Sequence, residues 1–462
     1  MKSKIRQFST FNSFIGFILF IGFCSSCDET QKYDASSPLP LLAEKPPLGW
    51  NSWDCFSGDV NEEQVKAVAD YMAEHLKEYG WEYVVIDGGW YNGSSIDEYG
   101  RFWPDTSKFP SAKNGAGFKP LADYIHSKGL KMGIHLMRGI PRLAVSEQLK
   151  IMGTQYTADE IAEPNNLCTW SQSRMGINMT HPAGQAYYES LAELFAEWEI
   201  DFIKADDMSS PYQVDEIEGL STALRNSGRD ILLSLSPGGS TPLGAASHIR
   251  RQAHMFRISG DFWENWDDLK THFMLCERWA PYVTENHWPD ADMLPIGKLR
   301  KTGAGEWEIK KINANSVEEA TDEYSRFTQD EQITMMNLWS IFRSPLMIGG
   351  YLPENDDFTF SLITNKELLA LNQESVNNKV IYNDENKSIW TADSQDGKYK
   401  YLAVFNISET LMEEEIILEQ AGLDNQKEYL FEDIWSKEKE AVSGTLSLSL
   451  EPHASKLYRI EI

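Results

Sequence analysis

The sequence predicts an α/β fold, a (β/α)8 barrel followed by a C-terminal antiparallel β-sandwich. Three observations lead there. Between Pro46 and Asn372, short apolar runs alternate with longer amphipathic stretches about eight times, the rhythm of parallel βα units. No glycine-rich phosphate turn follows the first run, which disfavours an open doubly wound sheet. After Asn372 the texture changes to short, often alternating strands separated by turn residues.

Taken in order, the runs that read as buried strands are Leu48–Trp50, Tyr83–Ile86, Lys131–Leu136, Phe202–Ala205, Ile231–Leu235 and Met255–Ile258. Weaker candidates lie at Pro289–Met293 and Ser344–Ile348. Among the helical stretches, Glu62–Tyr79 carries Val65, Val68, Ala69, Met72, Ala73 and Leu76 at the spacing of one helix face. Phe118–Ser127, Gly184–Trp198, Val214–Asn226, Trp263–Trp279 and Asp330–Phe342 read likewise. The C-terminal candidates are Val380–Tyr382, Ser388–Ala392, Lys400–Asn406, Glu414–Leu418, Glu428–Glu432 and Leu446–Leu450. Thr445–Leu450 alternates strictly, so one face is expected buried and the other wet. The expected division is a barrel over residues 46–375 and a sandwich over 376–462.

Residues 1–27 read as a targeting segment. Lys2, Lys4 and Arg6 give a basic start, and Phe14–Phe23 is apolar but too short to span a bilayer. In Cys24-Ser25-Ser26-Cys27, a small residue directly before a Cys resembles the bacterial lipoprotein signal, with Cys27 lipidated. An ordinary secretory signal is the alternative. Residues 28–45 then form a polar tether, and the chain is expected to be exported and lipid-anchored in the cell envelope, at the outer membrane. Only Cys55, Cys168 and Cys276 would remain, enough for at most one disulfide and without metal-ligand spacing.

At 462 residues, 42% hydrophobic, the chain exceeds one ordinary domain. A formal net charge of −28 argues against nucleic acid and other polyanionic partners. Fifteen Trp residues offer platforms for sugar rings, although most must be core.

A barrel builds its active face at the C-terminal ends of its strands. Those ends give Trp50, then Asp87 with Trp90, then His135 and Arg138, then Lys204 with Asp206 and Asp207. Ser236, Arg257 with Asp261, and Asp290 with Asp292 follow. The ring holds carboxylates, cations and aromatics with no His/Cys cluster suited to a transition metal, the composition of a saccharide site. Two carboxylates from different strand ends are what glycoside hydrolysis needs. Alternation places Lys204 and Asp206 on one side of their strand, so the ammonium is expected beside the carboxylate, depressing its pKa. Asp261, next to Phe262 and Trp263, is expected in an apolar setting that raises its pKa. Singly, each residue has a blander explanation: a surface ion pair, a core histidine, a packed indole, a helix cap. Their joint placement carries the reading.

The residues resemble glycoside hydrolase family 27, the family of α-galactosidases and α-N-acetylgalactosaminidases, from Pro46 to the end. Pro46-Pro47-Leu48-Gly49-Trp50-Asn51-Ser52-Trp53 is similar to that family's first strand, Val85-Ile86-Asp87-Gly88-Gly89-Trp90 to its second, and Gly129-Leu130-Lys131-Met132-Gly133-Ile134-His135 to its third. His287–Leu294 and Leu338–Leu346 resemble its late barrel motifs. The resemblance implies a retaining hydrolase with Asp206 as nucleophile, Asp261 as general acid/base and no metal or organic cofactor. Trp50, Asp87, Trp90, His135, Lys204, Ser236 and Arg257 would hold an oligo- or polysaccharide's terminal sugar, and the sandwich would carry no catalytic residue.

The chain also departs from that family. Relatives have two adjacent aspartates and a Cys after the second strand, reading the 4- and 6-hydroxyls and forming a disulfide; here Gly88 and Gly89 stand at the second Asp and the Cys. The partner Cys falls at about Gly58, Met208 replaces a Cys after the nucleophile, and His135 replaces an aromatic. Terminal α-D-galactose is the expected substrate. β-L-arabinopyranose and α-N-acetylgalactosamine are the alternatives, and Arg138 with His135 leaves room for an acidic or substituted sugar. A catalytically idle glycan-binding lipoprotein is a competing class, against which the retained Asp206 and Asp261 argue. A transglycosylase would use the same residues. Oligomeric state is left open.

Overall fold

A computed structural model describes residues 32–171, 173–236, 239–300 and 324–462. Cys27 and the targeting segment lie outside the described residues, as does the tether before residue 32.

Eight parallel strands form one curled sheet: β1 Leu48–Asn51, β2 Tyr83–Ile86, β3 Lys131–Met137, β4 Phe202–Asp206, β5 Leu232–Leu235, β6 Met255–Arg257, β7 Trp288–Asp290 and β8 Leu346–Ile348. Their spatial order is β7-β6-β5-β4-β3-β2-β1-β8. Between β7 and β8 the seam is closed by a parallel bridge from Leu294 to Ile348, with Leu294 N–H donating to the Met347 carbonyl (2.8 Å). The fold is therefore the expected TIM barrel. All eight strand runs are found, with ends shifted by at most three residues.

The principal helices around it are α1 Glu62–Tyr71, α2 Lys119–Ser127, α3 Pro182–Glu197, α4 Val214–Asn226, α5 Ala246–Gln252, α6 Trp266–Trp279, α7 Gln329–Phe342 and α8 Lys366–Glu374. Local chemistry sets several starts. Asn61 and Gln64 form a capping box at α1, Thr328 and Glu331 form one at α7, and the Asn265 side chain accepts from Asp267 N–H at α6. The expected helix over 62–79 is one α-helix for ten residues, then a wide turn at Met72–Leu76 and a tight one at Lys77–Tyr79.

Strand parity divides the core. Tyr83, Val85, Phe202, Leu232, Met255, Trp288 and Met347 fill the barrel interior as one cluster. The alternate residues, among them Trp50, Val84, Ile86, Ile134, Ile203, Ala205, Leu233 and Phe256, pack outward in the cluster shared with the helices. After α8, β9 Ser375–Asn383 opens the C-terminal region, with β10 Lys387–Ser394, β11 Tyr399–Asn406, β12 Met412–Ile417, β13 Glu428–Asp433, β14 Lys439–Ser443, β15 Thr445–Leu450 and β16 Ser455–Glu461. They form an antiparallel sheet β9-β10-β11-β16-β13-β14 and a pair β12-β15. On β15, Leu446 and Leu450 are buried while Thr445, Ser447 and Ser449 are exposed, the predicted alternation. Polar contacts join sandwich to barrel: Thr334 Oγ1 donates to the His453 carbonyl (2.7 Å) and Trp435 Nε1 to Asn337 Oδ1 (2.9 Å).

Of the expected tether, the described part is not loose. Tyr33 and Asn226 exchange two hydrogen bonds (2.8 and 2.9 Å), Gln252 donates to the Ala35 carbonyl, and Asn286 accepts from Leu42 and Ala43. These partners sit at the N-terminal ends of β5–β7, the face opposite the strand C-terminal ends. His254 belongs to this belt. Its Nδ1 accepts from Leu233 N–H (3.1 Å), its Nε2 lies 3.2 Å from the Pro40 carbonyl, and burial pushes its pKa down to about 4. The fold therefore holds His254 neutral while the unfolded chain protonates it below pH 6.5. Its stabilisation is complete above that value and is lost as pH falls toward 4. Between pH 7 and 4.5 the urea-unfolding free energy of wild type should fall about 2 kcal/mol more than that of His254→Gln. Equal falls would show that His254 does not titrate this way.

Candidate active site

Interior parity delivers the polar side chains. Asn51, Asp87, His135, Lys204, Asp206, Ser234, Ser236, Arg257 and Asp290 continue the interior rows of β1–β7, toward the strand C-terminal ends. There a cavity of about 620 Å³ opens, lined by Asp87, His135, Lys204, Asp206, Ser236, Arg257 and Asp261 among others. Seven of the nine predicted site residues thus come together around one space. Trp50 and Trp90 do not. Trp50 lies on the outward face of β1, fully buried, with its Nε1 donating to the Gly350 carbonyl (2.9 Å). Trp90 is packed edge-on against Phe118 and Trp198, and its Nε1 donates to the His135 carbonyl (2.8 Å). Both indoles support strands and neither reaches the cavity. The aromatic walls are instead Trp53, Tyr91, Trp170, Phe262 and Trp263.

The ammonium of Lys204 differs from its expected place. It donates to Asp87 Oδ2 (2.6 Å) rather than to Asp206, because β2 brings a buried carboxylate across the barrel. Asn51 Nδ2 shares that oxygen (2.8 Å), Gly88 N–H donates to Oδ1 (2.7 Å), and Ser52 Oγ accepts from the Asp87 amide (2.9 Å). Burial works against charge on Asp87, yet Lys204, with a smaller contribution from His135, holds its carboxyl well below the usual carboxylate range. Asp206 has other neighbours. Its Oδ1 accepts from Asp207 N–H (2.7 Å), and its Oδ2 lies 3.4 Å from His135 Nε2.

Asp261 also departs from its expected setting. Its side chain is 52% exposed, and Oδ1 accepts from Arg257 Nη2 (3.2 Å). The apolar enclosure is missing on one side, where the cavity opens, although Phe262 and Trp263 line the same space. Arg257 is itself buried and fixed by Asp292, whose Oδ1 lies 2.8 Å from Nη1. Asp292 Oδ2 accepts from Phe262 N–H (2.7 Å), so one carboxylate orients both the guanidinium and the turn that carries Asp261. Burial pushes the neighbouring Asp290 carboxyl up to about 6, with Asp292 adding to the rise. In the sequence Asp290 and Asp292 stand at a strand end, where a helix cap is the blander explanation. The signal for their role is the same interior parity that selects Asp87 and Asp206.

Arg138 is not available to an acidic substrate: it is 3% exposed and paired with Asp207 and Glu216. Cys55, Cys168 and Cys276 are free thiols, all buried. Where the family resemblance implies a disulfide, the structure shows two glycines backbone to backbone. A Cβ on Gly58 would lie 3.8 Å from Gly89 Cα, and Gly89 has φ +87°. Lys108 spans the gap, its ammonium donating to the Gly58 carbonyl and, at 3.2 Å, to that of Gly89. A hydrogen-bonded lysine strap thus holds the loop bearing Asp87 and Tyr91 where the family resemblance would place a cystine. Lys108→Met should lower stability by about 1–3 kcal/mol, read as a shifted urea midpoint with unchanged slope. A shift under about 0.5 kcal/mol would show that the strap does not hold the loop.

A sequence model described as Alpha galactosidase A matches residues 45–145 and 165–314, and one described as the alpha galactosidase C-terminal beta sandwich domain matches 384–460. The chain is 42% identical to a family 27 β-L-arabinopyranosidase from Geobacillus stearothermophilus, whose crystal structure superposes with a TM-score of 0.84 over 91% of this chain and 97% of that one. It is 28% identical over 428 residues to Alpha-galactosidase 2 of Arabidopsis thaliana, covering 91% of this chain and 90% of that protein. Alpha-galactosidase A of Cellvibrio japonicus is 26% identical over 446 residues, covering 91% and 92%. With its barrel and its sandwich both matched, and its strand-end carboxylates gathered around one cavity, this chain belongs to glycoside hydrolase family 27 and is a glycoside hydrolase.

Proposed function

We propose that this chain is a retaining exo-glycosidase that releases terminal galacto-configured pyranosides, with β-L-arabinopyranosides favoured over α-D-galactosides. Gly88 carries the specificity reading. A Cβ there would lie 3.4 Å from the Trp53 ring and 3.9 Å from Cε1 and Nδ1 of His135, so the missing carboxylate leaves an indole edge and an imidazole in its place. A sugar 6-hydroxyl brought to that wall gives up water and finds no carboxylate acceptor. β-L-Arabinopyranose has the ring configuration of α-D-galactose and no 6-hydroxyl, so it avoids that cost. The 42% identity to an arabinopyranosidase supports the same reading.

In this reading Asp206 attacks the anomeric carbon through Oδ2, since Oδ1 is held by the Asp207 amide. As the glycosidic C–O bond breaks, Asp261 gives its proton to the departing oxygen. Asp261 then takes a proton from water, whose oxygen attacks the same carbon and frees Asp206, so configuration is retained overall. Lys204 and Asp87 hold ring hydroxyls, and Arg257 stays beside Asp261 through both half-reactions.

The test is turnover of aryl β-L-arabinopyranoside, α-D-galactoside, α-N-acetylgalactosaminide and α-D-glucoside by the chain starting at Asp28. The reading predicts the highest kcat/KM on the arabinopyranoside. A higher value on the galactoside would reverse the preference, and silence on all four would favour an idle binder.

Lipid anchoring at Cys27 is part of the proposal and rests on the sequence pattern. Cys27→Ala should move the protein from the membrane to the soluble fraction; retention in the membrane would remove Cys27 as the anchor.

A further inference from the structure

Beside Asp206 lies a buried polar cluster that the reaction above does not use: Arg138, Asp207, Glu216 and Tyr188. Arg138 Nε donates to the Asp207 carbonyl (2.8 Å) and to Asp207 Oδ2 (2.9 Å), and Nη2 lies 2.8 Å from the same Oδ2. Its Nη1 donates to Glu216 Oε1 (2.6 Å), whose other oxygen accepts from the Tyr188 hydroxyl (2.8 Å). Glu216 stands on α4 and Tyr188 on α3, so Arg138 is anchored to the helix layer behind β4. The side chains of Arg138 and Asp207 are each 2% exposed. Gly176 makes the space, since a Cβ there would lie 2.8 Å from Arg138 Nη1.

Asp207 adopts φ +60°, a left-handed conformation uncommon outside glycine, asparagine and aspartate. That conformation aims the Asp207 amide at Asp206 Oδ1 (2.7 Å). Arg138 also donates its own backbone N–H to the Asp206 carbonyl (3.1 Å). One residue therefore ties both the peptide carbonyl of Asp206 and the residue whose amide fixes its carboxylate.

We propose that Arg138 is a positioning residue for the nucleophile, locking Asp207 so that Asp206 Oδ2 stays aimed at the anomeric carbon. This rests on the reading of Asp206 as nucleophile. A displacement of even one ångström at the attacking atom costs about 100-fold in rate while leaving sugar binding to Asp87, Lys204 and Arg257. The signature is a fall in kcat without a fall in ligand affinity.

The experiment compares Arg138→Lys, Arg138→Met, Tyr188→Phe and Asp206→Asn in the full chain, reading kcat on an aryl β-L-arabinopyranoside and the inhibition constant of free L-arabinose. Arg138→Lys should lose about 10- to 100-fold in kcat, Arg138→Met more, and Tyr188→Phe about 3- to 10-fold, with the inhibition constant held within about 3-fold. If the Arg138 variants fail to fold, Tyr188→Phe removes a single hydroxyl and carries the test alone. Wild-type kcat in folded variants, with Asp206→Asn inactive, would overturn the positioning role and spare the nucleophile. An equal loss of kcat and arabinose affinity would also overturn it. Turnover retained by Asp206→Asn would overturn both.

Discussion

Asp206→Asn is expected to lower kcat at least about 10⁴-fold, some 5 kcal/mol of transition-state stabilisation, while leaving the fold intact. Asn has the shape of Asp, and its Oδ1 can still accept the Asp207 amide that Asp206 Oδ1 accepts now (2.7 Å). What disappears is the charge that attacks the anomeric carbon and balances the developing oxocarbenium ion. Asp261→Ala should behave differently. With a nitrophenolate leaving group, which needs little proton assistance, the first half-reaction should slow only modestly; with a sugar alcohol leaving group it should slow by roughly 10³-fold. Loss that is independent of the leaving group would remove Asp261 as the acid, and more than about 1% residual kcat in Asp206→Asn would remove Asp206 as the nucleophile.

Gly88→Asp should raise the kcat/KM ratio of α-D-galactoside to β-L-arabinopyranoside by about 10- to 100-fold. The backbone permits the change: Gly88 is absent from the left-handed positions, and its nearest neighbour would be the Trp53 ring at an ordinary contact distance of 3.4 Å. Gly89 is the contrasting case, with φ +87° and the Gly58 backbone where a side chain would go. Gly88→Ala is the control, adding the carbon without the acceptor. Equal ratios for the two variants would mean that space, not hydrogen bonding, sets the preference, and an unchanged ratio for Gly88→Asp would place the 6-position elsewhere.

The barrel was legible because parallel strands covered on both faces read as continuous apolar runs, which Tyr83–Ile86 shows plainly. The carboxylates and cations at the strand ends were legible for the same reason. Trp50 was misplaced because reading a strand end does not say which way its last residue points; parity does, and Trp50 shares the face of Val84 rather than of Tyr83. The partner of Lys204 was hidden differently. Sequence shows neighbours along one strand, whereas the register of β2, β3 and β4 decides what lies across the barrel. Tyr91 and Trp170 sit outside any strand or helix, with no periodicity to mark them, and Lys108 reaches Gly58 from 50 residues away.

The most direct test is the anomeric configuration of the sugar first released, followed by proton NMR during hydrolysis of the preferred aryl glycoside. Two successive displacements at one carbon, the first by Asp206, predict that the initial product has the configuration of the substrate and only later mutarotates. Initial release of the opposite anomer would mean that water attacks directly, and would contradict Asp206 as a nucleophile whatever the sugar preferred.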